Sequence, residues 1–214
     1  MARANEGILG PFYGKVGPVV GSRWKGINYV RSLPRADEKK KKLSVAQLAH
    51  QERFKFMSKW LAPLNPYVTV GFTERHLYQT EINQAFKFNY QHALEGVYPN
   101  FSINYSEVLV SKGQLAPPVV QELEVFLPRS LAISWEAQSG GRAAHDDQVM
   151  LVLMATTLGI ADGVVGMAKR SDGLLIYDYP ARLSGHEVAI YLSFIGLNRR
   201  KASNSTYLGR RVLP

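Results

Sequence analysis

The sequence predicts an α+β chain, in which a glycine-rich, two-helix N-terminal part precedes an all-β sandwich. Three observations carry that expectation. Glycine-proline pairs bar a helix before Val30, apolar residues repeat at helical spacing between Ser44 and Leu94, and they alternate with period two after Pro99. With 46% hydrophobic residues in 214, the chain has enough apolar material for a buried core, which excludes disorder throughout. The longest uncharged stretch of its apolar middle, Gln148 to Ala161, is shorter than the roughly 18 residues that cross a bilayer, so no transmembrane segment is expected.

Residues 7 to 30 carry glycines at 7, 10, 14, 17, 21 and 26, with an internal echo in which GPFYGKV is followed by GPVVGSR. Pro11 and Pro18 lack an amide donor and the glycines permit positive φ, so an extended, turning segment is predicted, ending in a strand from Gly26 to Val30. The run RADEKKKK, Arg35 to Lys42, is a charged tether. Ser44 and Gln47 have capping-box spacing, and Val45, Leu48, Ala49, Phe56 and Trp60 gather on one side of a helix that Pro63 and Pro66 are expected to end. Alternation from Tyr67 to Phe72 predicts a short strand. A second helix is expected from Glu81 to Leu94, capped by Thr80 and stopped by Gly96.

Beyond Pro99, Phe101, Ile103 and Tyr105 alternate with polar residues, Val108 and Val110 lead to a Lys-Gly turn, and Pro117-Pro118 marks a boundary. Six further strands are predicted, at Leu131 to Ala137, Val149 to Thr156, Val164 to Lys169, Leu174 to Tyr179, Val188 to Ile195 and Ala202 to Leu208. The last two form a hairpin around the polar loop Leu197 to Lys201. The organisation that results is an arm (1–42), a helical segment (43–98), a strand and linker (99–127) and a β-sandwich (128–214).

ISWEA around Trp135, EVAIYLSF with Tyr191, and SNSTYL resemble strands B, F and G of a fibronectin type III or similar immunoglobulin-like sandwich. The resemblance implies that Trp135 and Tyr191 pack in a core. The segments GPFYGKVGPVVGSRWKG, GVYPNFSINYSEVLVSKG and YLSFIGLNRRKASNSTYLG, in this order, are similar to an uncharacterised family of comparable length found mainly in Bacteroidota, which implies full-length homology and transfers no site residue.

Charge is unevenly placed. Residues 1–60 hold 13 Lys and Arg against Glu6, Asp37, Glu38 and Glu52; residues 61–187 hold 8 basic and 13 acidic groups; residues 188–214 carry Arg199, Arg200, Lys201, Arg210 and Arg211 and no acid. Basic ends and an acidic middle suit either an acidic polymer or the meeting of one subunit's ends with another's middle. The candidate contacts for an acidic partner or nucleic acid are Arg23, Trp24, Lys25, Arg31, Lys39, Lys40, Lys41, Lys42, Arg199, Arg200 and Lys201. Trp24 and Tyr29 offer stacking faces amid these cations, although a large aromatic is more often packed beneath its neighbours.

Catalytic signatures are sparse. The chain has no cysteine, which excludes disulfides, thiolate metal sites and cysteine nucleophiles. His145, Asp146 and Asp147 offer a ligand-like cluster that His186 and Glu187 could join, but a polar run before a strand is most simply an exposed turn. Asp162-Gly163 and Asp172-Gly173 read as turns. No GK[ST] accompanies the glycines, no G-x-S-x-G is present, and His50, His76 and His92 lack partner spacing. The sequence points to no cofactor and no metal. It predicts a non-enzymatic structural or interaction protein that assembles with itself or another protein, with nucleic-acid binding through residues 1–60 as the alternative and a hydrolase using residues 145–147 as a third. An N-terminus without a secretory h-region places it in the cytoplasm or in a released assembly.

Overall fold

Paired glycine turns build the first elements. The computed structural model describes residues 3–4, 7, 10–24, 26–33, 42–73, 79–137 and 140–214, and the chain divides into two units, Met1–Ser44 and Val45–Pro214. In the first, β1 (Arg3–Ala4), β2 (Phe12–Val16), β3 (Val19–Trp24) and β4 (Ile27–Ser32) form an antiparallel sheet in chain order. Val16 pairs with Val19 and Trp24 with Ile27, so each hairpin turns in two residues. Gly17 and Gly26 supply the positive φ values, 55° and 83°, that such turns demand. Gly21 is required for another reason, because a Cβ there would sit 2.0 Å from the Phe12 carbonyl oxygen. The segment expected to be extended and turning is this sheet.

The second unit opens with α1 (Val45–Leu61), directly after Ser44, followed by a 3-10 turn (Ala62–Leu64), α2 (Asn65–Gly71) and α3 (Glu81–His92). Residues 67–72, expected as a strand, are instead mostly helix. Pro63 and Pro66 stand in the first turns of the 3-10 segment and of α2, where a missing N–H leaves no bond unmade. Burial explains the apparent alternation: Val68 and Phe72 lie one helical turn apart and both are buried. The second helix follows expectation, with Thr80 Oγ1 accepting the Asn83 N–H at 3.1 Å.

A short hairpin of β5 (Leu94–Val97) and β6 (Asn100–Ile103) leads to a 3-10 turn at Tyr105–Glu107, so the strand expected to reach Tyr105 stops at Ile103. Two antiparallel sheets follow. One has the order β11 (Leu174–Asp178), β8 (Ser130–Trp135), β7 (Val120–Phe126); the other has the order β10 (Ala161–Lys169), β9 (Gln148–Ala155), β12 (Glu187–Ile195), β13 (Thr206–Val212). This is the immunoglobulin-like sandwich the sequence predicts, with β8, β12 and β13 in the places of strands B, F and G. Strand β7 lies within the span read as strand and linker. The last strand is displaced toward the C-terminus from Ala202 to Leu208. The pairing begins where expected, with Ala202 bridging Ile195 and Ser203 N–H donating to Phe194 O of β12, but it is interrupted where Ser205 N–H donates to Ser111 O, before the β12–β13 ladder resumes at Thr206.

Sidedness decides the architecture. Val149, Leu151, Leu153, Val188, Ile190, Leu192 and Phe194 pack between the sheets with Leu131, Ile133 and Trp135. Their neighbours Met150, Val152, Met154, Ala189, Tyr191 and Ile195 face the opposite way and pack with Met57, Leu61, Leu64, Val68, Phe72 and Ala85 of the helical segment. The helices are therefore a third layer on the four-stranded sheet, and the apolar runs of β9 and β12 are continuous because both faces are covered. Trp135 and Tyr191 are core residues, as the resemblance implies, but of different cores. Trp135 Nε1 donates to Arg170 O at 2.9 Å in the inter-sheet core, whereas Tyr191 faces the helices and its hydroxyl donates to Tyr105 O at 2.8 Å. Burial pushes the Tyr191 pKa far up, so this donor stays protonated.

Truncation on either side of β9 should be costly. Leu153→Ala and Met154→Ala are each expected to destabilise the chain by about 2–5 kcal/mol in denaturant unfolding. A near-neutral Met154→Ala would contradict a packed helical layer.

Candidate binding surfaces

Cross-strand partners share a face of a sheet, so the register of the N-terminal unit sorts its side chains. Trp24 opposes Ile27, Ser22 opposes Tyr29, and Val20 opposes both Arg31 and Lys15. One face thus gathers Trp24, Ile27 and Tyr29 with the cations Lys15 and Arg31. Arg23, opposite Asn28, belongs to the other face with Val30 and Val16. Trp24, Ile27 and Tyr29 are 40%, 43% and 43% exposed, and β4 is exposed along its whole length. The burial expected of Trp24 is not found, because among the described residues no side chain of this unit belongs to either apolar core. Lys42 is exposed, whereas Lys25, Lys39, Lys40, Lys41 and His76 lie outside the described residues.

The remaining cations sit at one end of the sandwich. Arg199, Arg200 and Lys201 occupy the β12–β13 loop, tied by Gly196 N–H to Lys201 O at 2.9 Å and by Arg200 N–H to Asn198 Oδ1 at 2.9 Å. Arg199 adopts φ 53°, in the left-handed region. All three are exposed. A cleft of about 610 Å³ opens here, lined by Gln114, Leu115, Arg142, Asp146, Leu197 and Lys201 among others. The β8–β9 and β12–β13 loops that sequence reasoning treated separately therefore converge.

The 145–147 cluster is divided by its own geometry. His145 is exposed and Asp146 lines the cleft, while Asp147 is buried against Arg170. His186 and Glu187 cannot join them: Ile195 pairs with Gln148 and Val188 with Ala155, which puts those residues at the opposite end of an eight-residue strand, roughly 25 Å away. The Asp147–Arg170 pair organises the loop. Arg170 Nε donates to Asp147 Oδ2 at 3.1 Å, its Nη2 donates to Ala116 O at 2.8 Å, and its guanidinium lies 3.7 Å from the Phe194 ring centroid. The same carboxylate oxygen accepts the Ala144 N–H at 3.0 Å, closing the loop over the pair. Burial draws the Arg170 pKa below its ordinary value, opposed by the charge of Asp147 and its hydrogen bond.

Asp172-Gly173 is a turn as expected, with Gly173 at φ 67°. Asp162 is not in a turn; it lies inside β10, where Tyr177 OH and the Arg182 guanidinium both donate to it and the Gly163 N–H reaches Oδ1 at 2.7 Å. Burial pushes its carboxyl pKa up, but these three hydrogen bonds and the Arg182 charge outweigh burial and hold it below the usual carboxylate range.

Removing the partner of the buried cation should be severe. Asp147→Ala is expected to destabilise by about 3–5 kcal/mol in denaturant melts, with Asp147→Ala/Arg170→Met recovering part of the loss. Because the folded-state pKa of Asp162 is depressed, its contribution is present above the unfolded carboxylate value and lost as pH falls through the folded one. Asp162→Asn should therefore flatten the acid limb of stability measured between about pH 5 and pH 2; an unchanged limb would assign the acid sensitivity to other groups.

Known proteins add a family and little else. No curated protein matches the chain. Among solved structures, the fn3 domain of human collagen alpha-1(XX) chain matches at 17% identity over 47% of this chain and 88% of that one, with a TM-score of 0.35, a likeness too loose to assign an activity or a partner. The match that spans the chain is to a family model covering residues 11–209, and the protein belongs to that family of unknown function, DUF6266.

Proposed function

We propose that the chain is a non-enzymatic structural or interaction protein that assembles with itself or a partner, using the N-terminal sheet as its docking surface. One observation carries this reading: a four-stranded sheet leaves Trp24, Ile27 and Tyr29 on one face, each at least 40% exposed, with no described side chain of its unit in an apolar core. Small sheets gain stability by burying one face against another layer, and an exposed apolar face with cations is a surface suited to a partner that supplies that layer. Two of the acidic groups singled out in the sequence have structural work, Asp147 with Arg170 and Asp162 with Tyr177 and Arg182. Light scattering of the full chain across salt concentrations tests the reading. Complexes that dissociate with rising salt, and that Trp24→Ala/Tyr29→Ala prevents with circular dichroism unchanged, are expected. A strict monomer that also fails to retain any partner in pull-down would contradict it.

The register favours a second reading on the same face. Two aromatic rings beside Lys15 and Arg31 match a stacking platform with phosphate-neutralising cations, which suits single-stranded nucleic acid. In fluorescence titrations with an oligonucleotide, affinity should fall steeply with salt, and Lys15→Ala/Arg31→Ala should reduce the magnitude of the log–log slope by about 1–2. No binding at low salt would dispose of this reading.

A further inference from the structure

We infer that the occupant of the N-terminal sheet is a second copy of this chain, and that it docks on the outer face of the β11-β8-β7 sheet; the inference rests on the docking reading above. The sandwich has two outer faces. The helices cover the one on β10-β9-β12-β13. On the other, pairing through β8 brings two distant strands onto one surface: Glu122 and Glu124 of β7 oppose Ser134 and Ala132, while Leu174 and Ile176 of β11 oppose the same two residues from the other side. Phe126 and Asp178 both oppose Ser130. Leu174, Ile176 and Phe126 are 48%, 56% and 46% exposed.

This face is the chemical complement of the N-terminal one. It presents apolar side chains with three carboxylates, where the N-terminal sheet presents Trp24, Ile27 and Tyr29 with Lys15 and Arg31. Among the described residues Glu122 and Glu124 enter no ion pair, and neither do Lys15 and Arg31. The β8 row between the flanking strands is Ser130, Ala132 and Ser134, low enough to admit rings from a facing sheet. Face-to-face packing of two sheets buries such side chains in a layer about 10 Å thick, and opposite charges at its rim set the register. Because the two faces differ, the contact is heterologous, so copies add head to tail unless the ring closes. The sequence-level polarity, basic at residues 1–60 and acidic at 61–187, is the same complementarity seen along the chain.

Sedimentation velocity of the full chain tests this. The mass should rise above the 23.9 kDa monomer with concentration and fall back with salt. Glu122→Lys/Glu124→Lys and Lys15→Glu/Arg31→Glu should each weaken association by about tenfold or more, and the chain carrying all four reversals should associate again. Circular dichroism establishes that each variant is folded. A monomer at every concentration overturns the inference, as does a four-reversal chain that stays dissociated. If Trp24→Ala/Tyr29→Ala abolishes association while Glu122→Lys/Glu124→Lys leaves it intact, the docking reading stands and the assignment of its partner face is overturned.

Discussion

Strands β9 and β12 lie between two apolar layers, and that double burial governs the rest of the second unit. Side chains alternate along each strand between the inter-sheet core and the helix-facing core. Neither strand has a wet face, so their sequences read as nearly unbroken apolar runs. The helical segment is thereby bound to the sandwich as one layer of it, while the outer face of β11-β8-β7 keeps Leu174, Ile176 and Phe126 exposed.

At one strand end a buried charge does the organising. Arg170 satisfies its donors with Asp147 and Ala116, stacks on Phe194, and offers its own carbonyl to Trp135. A desolvated cation is tolerable only with such pairing, and the pairing pins the 144–147 loop beside the basic β12–β13 loop. Within the polar motif that looks most like chemistry in the sequence, Asp147 is thus scaffolding. The surface it supports, with Arg142, Asp146 and Lys201 around a cleft, is a consequence of that anchoring.

Local signals were legible and lateral ones were not. Thr80 marks a helix start through its side-chain oxygen, and the alternation of Phe101 and Ile103 with polar residues announces β6, because capping and period two are properties of a few consecutive residues. Residues 67–72 imitate a strand because their apolar residues alternate, whereas the buried pair Val68 and Phe72 is spaced by one helical turn. The second core on β9 was hidden, since continuous apolar runs say that both faces are buried but not what covers them. No strand is predicted at β7 although QELEVF alternates, and nothing local says that β8 will set Glu124 and Ile176 on one surface. The N-terminal face was half legible: the aromatic and basic residues stand close together in sequence, but only the register separates Arg23 from Arg31.

On the docking reading, the N-terminal sheet presents its apolar side chains to a partner instead of storing them. Amide hydrogen exchange of the full chain at low salt, followed over a range of protein concentrations, addresses this most directly. Residues 12–32 should gain protection as concentration rises, while β9 and β12 stay protected throughout. Protection of residues 12–32 that already equals that of β9 at the lowest concentration, and never changes, would contradict it.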